Sequence, residues 1–401
     1  MSGRAPRVSV VLPLYNNARD VGPAIDSVLA QTMADLELVV VDDGSRDDTL
    51  EIVRRFDDPR IVVLAQENHG GAHATNVGIR AARGRYVALF AGDDVCRPER
   101  LERELAFLEA TGGPIVFSWA SFIDDAGDPL SGEHFASGWF NHPRRTRPEM
   151  LAWFFFHGNY LCTVSCLAER RLLVDAGLFP VTAAQVPDFA MWLRLIRDHE
   201  LPLLAQPLVE YRVHADGRNV SSPLNARRAE LELVQVYRDV FDALPVELFR
   251  QAFADRLRHP DFQPGPEHEM EKALLYLQHA RPSVRRLGAE RLWRQLQDPA
   301  QLAVAEARYD FDLPRLFELS DSLDVVASVE YLQLRQWALA VENECKLLRR
   351  AVEGSEAQYA ALRQALDAAE AEYRKLEAYT RHVLEVKDRI QAELERVVAR
   401  K

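Results

Sequence analysis

The sequence predicts an α/β protein with a mostly parallel central sheet, followed by an α-helical region and a long C-terminal coiled coil. Three observations lead to this fold class. Short apolar runs alternate with amphipathic stretches through the first quarter of the chain, at spacings typical of strand–helix–strand units. Leu-, Arg- and Glu-rich segments separated by prolines follow. Apolar residues then recur at three- and four-residue intervals up to the end.

Each of the first strands is a short apolar run that ends in a polar turn. Four strands are predicted, at residues 8–12, 36–41, 60–64 and 86–90. Amphipathic helical segments lie between consecutive strands, so the strands are expected to pair in parallel through right-handed crossovers. Runs this apolar are typical of strands that are covered on both faces of a sheet.

Pairs of carboxylates follow the second and fourth strands, at Asp42-Asp43 and at Asp93-Asp94. The carboxyl ends of parallel strands meet at one edge of a sheet, so these four acids are expected to face one cleft. Adjacent acids repel each other, and a divalent cation shared with a phosphate would offset that repulsion. Helix capping is the structural alternative for either pair. Two pairs at one edge favour a metal–nucleotide site.

Composition limits the other classes of function. The formal net charge of −12 argues against nucleic-acid binding. The first residues lack the apolar core of a signal peptide, and no stretch reaches the roughly 18 apolar residues of a transmembrane segment. The four cysteines show no zinc spacing. We therefore expect a cytoplasmic protein, with a peripheral position at the inner face of the membrane as the alternative.

The ordered motifs resemble those of the family 2 glycosyltransferases. They occur at residues 8–16, 39–45, 66–68, 76–84, 92–94, 158–159, 177–180, 188–195 and 211–214. The similarity covers about the first 220 residues. It implies the GT-A fold and an inverting enzyme that transfers a sugar from a nucleotide sugar, here a UDP-sugar, to a hydroxyl of a glycan or glycolipid acceptor. The common role of this family suggests a place in surface polysaccharide synthesis.

The resemblance also assigns roles to individual residues. Asp188 corresponds to the catalytic base that removes the proton of the acceptor hydroxyl. The nucleotide-binding candidates are Pro13, Tyr15, Asp43, Asn76 and Asp93, and the metal-binding candidates are Asp94 and His214. Within these sets, Asp43 would contact the uracil and Asp93 the ribose. The expected cofactor is Mn²⁺ or Mg²⁺, which would neutralise the diphosphate leaving group.

Structural alternatives accompany these roles. Asp188 could instead cap the helix that begins at Pro187, and His214 could be an ordinary exposed histidine. The chain also departs from the family pattern at Thr75, Ala91 and Pro187. These departures support an alternative function, that of a catalytically degenerate scaffold. A sugar nucleotidyltransferase is less favoured, because residues 13–17 lack a Gly-rich basic loop. The aromatic and basic segment 138–147 is expected on the acceptor side.

The remainder of the chain is predicted to be helical. We divide it into a transferase domain at 1–222, a helical domain at 223–330 and a coiled coil at 331–401. The coiled coil would extend about 100 Å, with a kink at Gly354-Ser355, and it predicts a homo-oligomer that is a dimer or a trimer. A hairpin with the helices at 226–297 is the intramolecular alternative.

Overall fold

A computed structural model describes residues 4–130, 134, 136, 138–217, 219, 225–323, 337, 340–348 and 359–398. Internal contacts divide the chain into two compact units, Met1–Leu323 and Asp324–Lys401. None of the described helices is both long and apolar enough to cross a membrane.

One eight-stranded sheet forms the centre of the first unit, with the strand order β3-β2-β1-β4-β7-β6-β8-β5. The strands are β1 (Val8–Leu14), β2 (Leu36–Asp42), β3 (Ile61–Ala65), β4 (Tyr86–Leu89), β5 (Val95–Cys96), β6 (Ile115–Ile123), β7 (Leu167–Glu169) and β8 (Leu203–Arg212). The first four pair in parallel, which confirms the predicted sheet. The three-residue β7 is antiparallel to both β4 and β6, and β6 is parallel to β8.

Helices cover both faces of this sheet. They are α1 (Val21–Leu29), α2 (Thr49–Arg54), α3 (Gly71–Ala81), α4 (Arg100–Thr111), α5 (Arg147–His157), α6 (Arg170–Asp175) and α7 (Pro187–Leu195). Alternate β1 residues point to opposite faces: Val10 packs in one core with residues of α1 and α4, and Val11 packs in another with residues of α3, α5 and α7. Burial on both faces explains why the strands are continuous apolar runs.

Six further helices continue the first unit beyond the sheet. They are α8 (Ala226–Arg238), α9 (Val246–Phe253), α10 (Pro266–Leu277), α11 (Pro282–Gln295), α12 (Pro299–Tyr309) and α13 (Leu313–Ser322). Tyr237 and Phe241 lie with their ring centroids 5.8 and 4.8 Å from that of Phe155 on α5. The first of these helices therefore shares a core with the sheet domain. The predicted division of the chain at 222 and 330 stays a prediction.

The described part of the second unit is helical. It comprises residues 340–348 and a 40-residue helix, Tyr359–Val398. The rest of the predicted coiled coil, including its kink at Gly354-Ser355, lies outside the described residues. Pairing of this helix with another chain stays a prediction.

Candidate active site

The acidic turn after β4, Asp93-Asp94, is bonded to the end of β8. Asp94 is 2% exposed, and its Oδ1 accepts a hydrogen bond of 2.8 Å from the backbone N–H of Arg212. Burial and the adjacent Asp93 carboxylate raise the pKa of Asp94 well above its usual range, and Arg212 and Arg100 oppose that rise. A buried acid of this kind is stabilised by any further positive charge.

Arg212, at the end of β8, joins three polar turns. Its guanidinium donates to the carbonyl oxygens of Asp93 at 2.7 Å and of Asp124 at 2.6 Å. Its Nε also lies 3.7 Å from Oδ1 of Asp20, at the start of α1. Because the side chain is buried, these contacts fix the loops that surround the acidic turn.

His214 lies between two carboxylates. Its Nε2 is 3.1 Å from Oδ2 of Asp93, and its Nδ1 is 2.7 Å from Oδ1 of Asp125. The residue is 3% exposed, so the alternative of an ordinary exposed histidine is wrong. The bond from His214 is the main cause of the lowered pKa of Asp125.

A buried ion pair supports the end of β4. Arg100 and Glu104 on α4 are both fully buried, with Nε of Arg100 3.2 Å from Oε2 of Glu104. Arg100 also donates to the carbonyl oxygen of Leu89 at 3.1 Å, and Ser118 donates to Glu104 at 2.7 Å. These bonds satisfy both charges inside the core.

Asp188 lies in the first turn of α7, where three donors hold its carboxylate. Thr163 Oγ1 and Asn159 Nδ2 donate to Oδ2 at 2.6 and 3.1 Å. Oδ1 accepts from the backbone N–H of Phe189 at 2.7 Å, a bond that also stabilises the helix start. Burial raises the pKa of Asp188, and the three bonds oppose that rise. The N-cap of this helix is Val186, so Asp188 is not the cap; it bonds the backbone within the first turn and holds an oriented carboxylate.

The segment containing Cys162 and Thr163 connects the two acidic groups. The pKa of the buried Cys162 thiol is raised by burial first and by the Asp94 carboxylate second. The next residue, Thr163, donates to Asp188. The Asp94 carboxylate therefore acts electrostatically on the segment that holds Asp188, although 94 residues separate the two acids in the sequence.

The nucleotide-binding candidates lie around the ends of β1 and β2. Pro13 pairs in register with Val41, and Tyr15 is 44% exposed just beyond β1. Asp43 is 1% exposed, and its carboxylate accepts from the side chain of Gln66 and from the backbone N–H groups that precede α3, at 2.6 to 2.9 Å.

Asn76 and Asp42 have hydrogen-bonding environments that the sequence did not predict. Both polar ends of the Asn76 amide bond the backbone of Phe179, at 2.8 and 2.9 Å, so Asn76 fixes the loop after α6. A contact of Asn76 with a nucleotide stays a prediction, and it would require these bonds to open. Oδ1 of Asp42 is buried without a hydrogen-bond partner among the described residues. Such an acceptor is suited to an N–H donor from a ligand.

The donor atoms near Asp93 fit a divalent cation that is shared with a ligand. Within the described residues no cluster of three or more His, Cys, Asp or Glu side chains is arranged to hold a metal by itself. Mg²⁺-type sites, however, often use one or two protein ligands with substrate phosphates and water. Each ring nitrogen of His214 faces a carboxylate, and only an imidazolium has an N–H for both of them. A metal cation bound at Nε2 would take the place of the proton on that nitrogen.

Comparisons with known proteins agree with this architecture. The sequence pattern described as "Glycosyl transferase family 2" matches residues 9–173. An uncharacterised glycosyltransferase of Rickettsia prowazekii is 30% identical over 223 residues, which cover 55% of this chain and 68% of that protein. One of Nostoc sp. is 41% identical over 231 residues, covering 54% and 67%. Succinoglycan biosynthesis protein ExoO of Rhizobium meliloti is 42% identical over 114 residues, covering 28% and 33%.

Among solved structures, S. aureus TarS 1–349 in complex with UDP-GlcNAc has a TM-score of 0.52 and 18% sequence identity. The match covers 79% of this chain and 91% of that one. At this identity the likeness concerns the fold alone, and it confirms the predicted α/β architecture of the GT-A type. The chain belongs to glycosyl transferase family 2.

Proposed function

We propose that this glycosyltransferase is an inverting, metal-dependent enzyme. It would move a sugar from a UDP-sugar to a hydroxyl of a glycan or glycolipid acceptor. The observation that carries the proposal is the Asp188 carboxylate, which Thr163 and Asn159 hold by hydrogen bonds of 2.6 and 3.1 Å. The UDP-GlcNAc complex of TarS and the role of ExoO in succinoglycan biosynthesis support the donor class and a place in polysaccharide synthesis.

Asp188 would act as the general base. Its ionised carboxylate takes the proton of the acceptor hydroxyl while that oxygen forms a bond to the anomeric carbon, and the bond from that carbon to the diphosphate oxygen breaks. Attack opposite the leaving group inverts the anomeric centre. Thr163 and Asn159 stabilise the ionised form and orient it, and burial keeps the carboxylate basic.

The metal candidates are grouped around the acidic turn. A bound Mn²⁺ or Mg²⁺ would supply Lewis-acid stabilisation of the diphosphate leaving group. Asp94 and His214 would hold it, as the resemblance implies, with Asp93 beside them, while Asp125 fixes the ring of His214. The sequence contains no lysine before Lys272, so no lysine of the sheet domain is available as a point charge for the phosphates.

The nucleotide would lie over the ends of β1 and β2. Asp43 would face the uracil, Pro13 and Tyr15 would line the base pocket, and Asp93 would face the ribose. We further propose a cytoplasmic location, peripheral to the membrane if the acceptor is a glycolipid, and self-association through residues 331–401.

A donor screen tests this function. Purified full-length protein is incubated with Mn²⁺ and a panel of UDP-sugars, and the UDP that is released is quantified. The affinity of the protein for UDP is measured separately by calorimetry. At least one donor should release UDP, and chelation of the metal or Asp94→Ala should reduce both release and affinity. UDP binding without turnover of any donor would favour the degenerate scaffold. Absence of UDP binding would contradict the proposal itself.

A further inference from the structure

Three arginines lie where the loop from β6 enters α5: Arg144 and Arg145 in the loop, and Arg147 at the first position of the helix. No ion pair involves any of the three among the described residues. The neighbouring carboxylate, Glu149, accepts 2.8 Å bonds from the backbone N–H and the hydroxyl of Thr146. This loop therefore has local positive charge available for a ligand.

Arg145 is held by aromatic rings rather than by a carboxylate. Its guanidinium carbon lies 3.8 Å from the ring centroid of Trp153 and 4.8 Å from that of Tyr160. Ring contacts of this kind use the faces of a guanidinium and leave its N–H edges available. The side chain donates a long 3.5 Å hydrogen bond to the carbonyl oxygen of Pro143 and interacts with the hydroxyl of Tyr160, which leaves most of its five N–H groups available. A planar oxyanion could thus be bound in the bidentate manner.

The loop that carries Arg145 is fixed at both ends. Asn141 donates to the carbonyl oxygen of Ala120 on β6 at 2.7 Å and accepts from its N–H at 2.8 Å. At the other end, Thr146 and Glu149 form a capping box at the start of α5. A guanidinium on an anchored loop loses little conformational entropy when it binds a ligand.

Aromatic residues connect Arg145 with the elements that hold the proposed base. Tyr160 directly follows Asn159, whose amide donates to Asp188. The ring centroid of Phe154 lies 5.7 Å from that of Tyr160 and 5.5 Å from that of Phe189. Tyr160 is 2% exposed, and Arg145 partly offsets the rise in the pKa of its hydroxyl that burial causes. One aromatic cluster therefore runs from Arg145 to the start of the helix that carries Asp188.

We propose that the acceptor is an anionic glycan, and that Arg145 binds its carboxylate or phosphate substituent while Arg144 and Arg147 contribute long-range attraction. This inference rests on the proposed function, because it takes the region beside Asp188 as the acceptor side. It adds the chemical class of the acceptor and names a specificity-determining residue. A neutral sugar chain would offer only hydroxyl and ring oxygens, which accept weaker hydrogen bonds from a guanidinium than a charged oxyanion does.

Calorimetry with defined oligosaccharides tests the proposal on the full-length protein with UDP and Mn²⁺. The probes are tetragalacturonate for a carboxylate, a glycerol phosphate trimer for a phosphate, and maltotetraose as the neutral control. At least one anionic probe should bind about ten-fold more tightly than maltotetraose, as expected for a hydrogen bond between charged groups. The probe that binds identifies the substituent.

Variants assign that preference to Arg145. Arg145→Ala should remove the preference, and Arg145→Lys, which keeps the charge but not the planar fork, should retain part of it. Arg171→Ala removes an exposed charge elsewhere and should change nothing. Equal binding of charged and neutral probes, or an unchanged preference in both Arg145 variants, would overturn the proposal. UDP affinity, measured in the same experiment, separates the proposed function from the anionic-acceptor proposal. Loss of UDP binding would count against the proposed function. Intact UDP binding without a preference for charged probes would count only against the anionic acceptor.

Discussion

The Nε2 atom of His214 lies 3.1 Å from Oδ2 of Asp93, although 121 residues separate the two in the sequence. The opposite ring nitrogen contacts Asp125. A histidine fixed by a carboxylate on one side is a common arrangement around bound metals, because the outer carboxylate sets the orientation of the ring. Asp125 is therefore a positioning residue for the proposed metal site.

Removing the outer carboxylate should weaken metal-dependent nucleotide binding. We expect Asp125→Asn to reduce the affinity for UDP in the presence of Mn²⁺ by about ten-fold, in line with other outer-shell substitutions. In the presence of a chelator, calorimetry should give the same UDP affinity for the variant and the wild type. Asp128→Asn in the same exposed turn is the matched control. A loss of affinity that persists without metal would contradict the assigned role.

Thr163 should set the pH dependence of transfer. Its hydroxyl donates to Asp188 and thereby lowers the pKa of that carboxyl, against the rise that burial causes. Thr163→Val should raise the pKa of Asp188 further, so that the acidic limb of kcat/KM moves up by about one pH unit. Thr111→Val, at an exposed helix end, should leave the profile unchanged. A lower rate with an unshifted limb would show that Asp188 is not the group that titrates.

The buried pair of Arg100 and Glu104 should be essential for stability as a pair. Arg100→Met leaves the fully buried Glu104 without its partner, and we expect it to lower the free energy of unfolding by about 3–5 kcal/mol in urea denaturation. The double variant Arg100→Met with Glu104→Leu should recover most of that loss. Exposed Arg103→Ala serves as the control. A double variant less stable than the single one would contradict this explanation.

The C-terminal segment should determine the assembly state. Because the contacts define a compact unit that ends at Leu323, a chain truncated there should remain folded. Light scattering should then give a monomer mass for residues 1–323 and a dimer or trimer mass for the full chain. The same number of subunits in both proteins would refute self-association through residues 331–401.

Sequence reasoning predicted the strand ends well. The apolar runs before Asp43 and Asp93 can be recognised from consecutive residues alone. The parallel sheet then brings the ends of these strands to one edge. It did not predict β7, because three residues give too short a pattern to recognise. That antiparallel strand separates β4 from β6 and so determines which loops meet at the acidic turn.

The residues that orient the site were also missed. Asp125, Thr163 and Arg212 were assigned no role, since each acts through a contact with a residue 25 to 119 positions away. Turn residues such as Asp125 have no periodicity that indicates a partner. Asn76 shows the same limit: the motif suggested a nucleotide contact, which stays a prediction, and gave no sign of the bonds between its amide and Phe179.

The most direct test of the account is the effect of Asp188→Asn on UDP binding and on sugar transfer, measured side by side. Asparagine keeps the size of the side chain and an oxygen for Thr163, but it cannot take the proton of the acceptor. The account predicts that calorimetry gives an unchanged UDP affinity with Mn²⁺, while transfer to acceptor falls by at least about 100-fold. Transfer at the wild-type rate would contradict the assignment of Asp188 as the base, and with it the proposed mechanism.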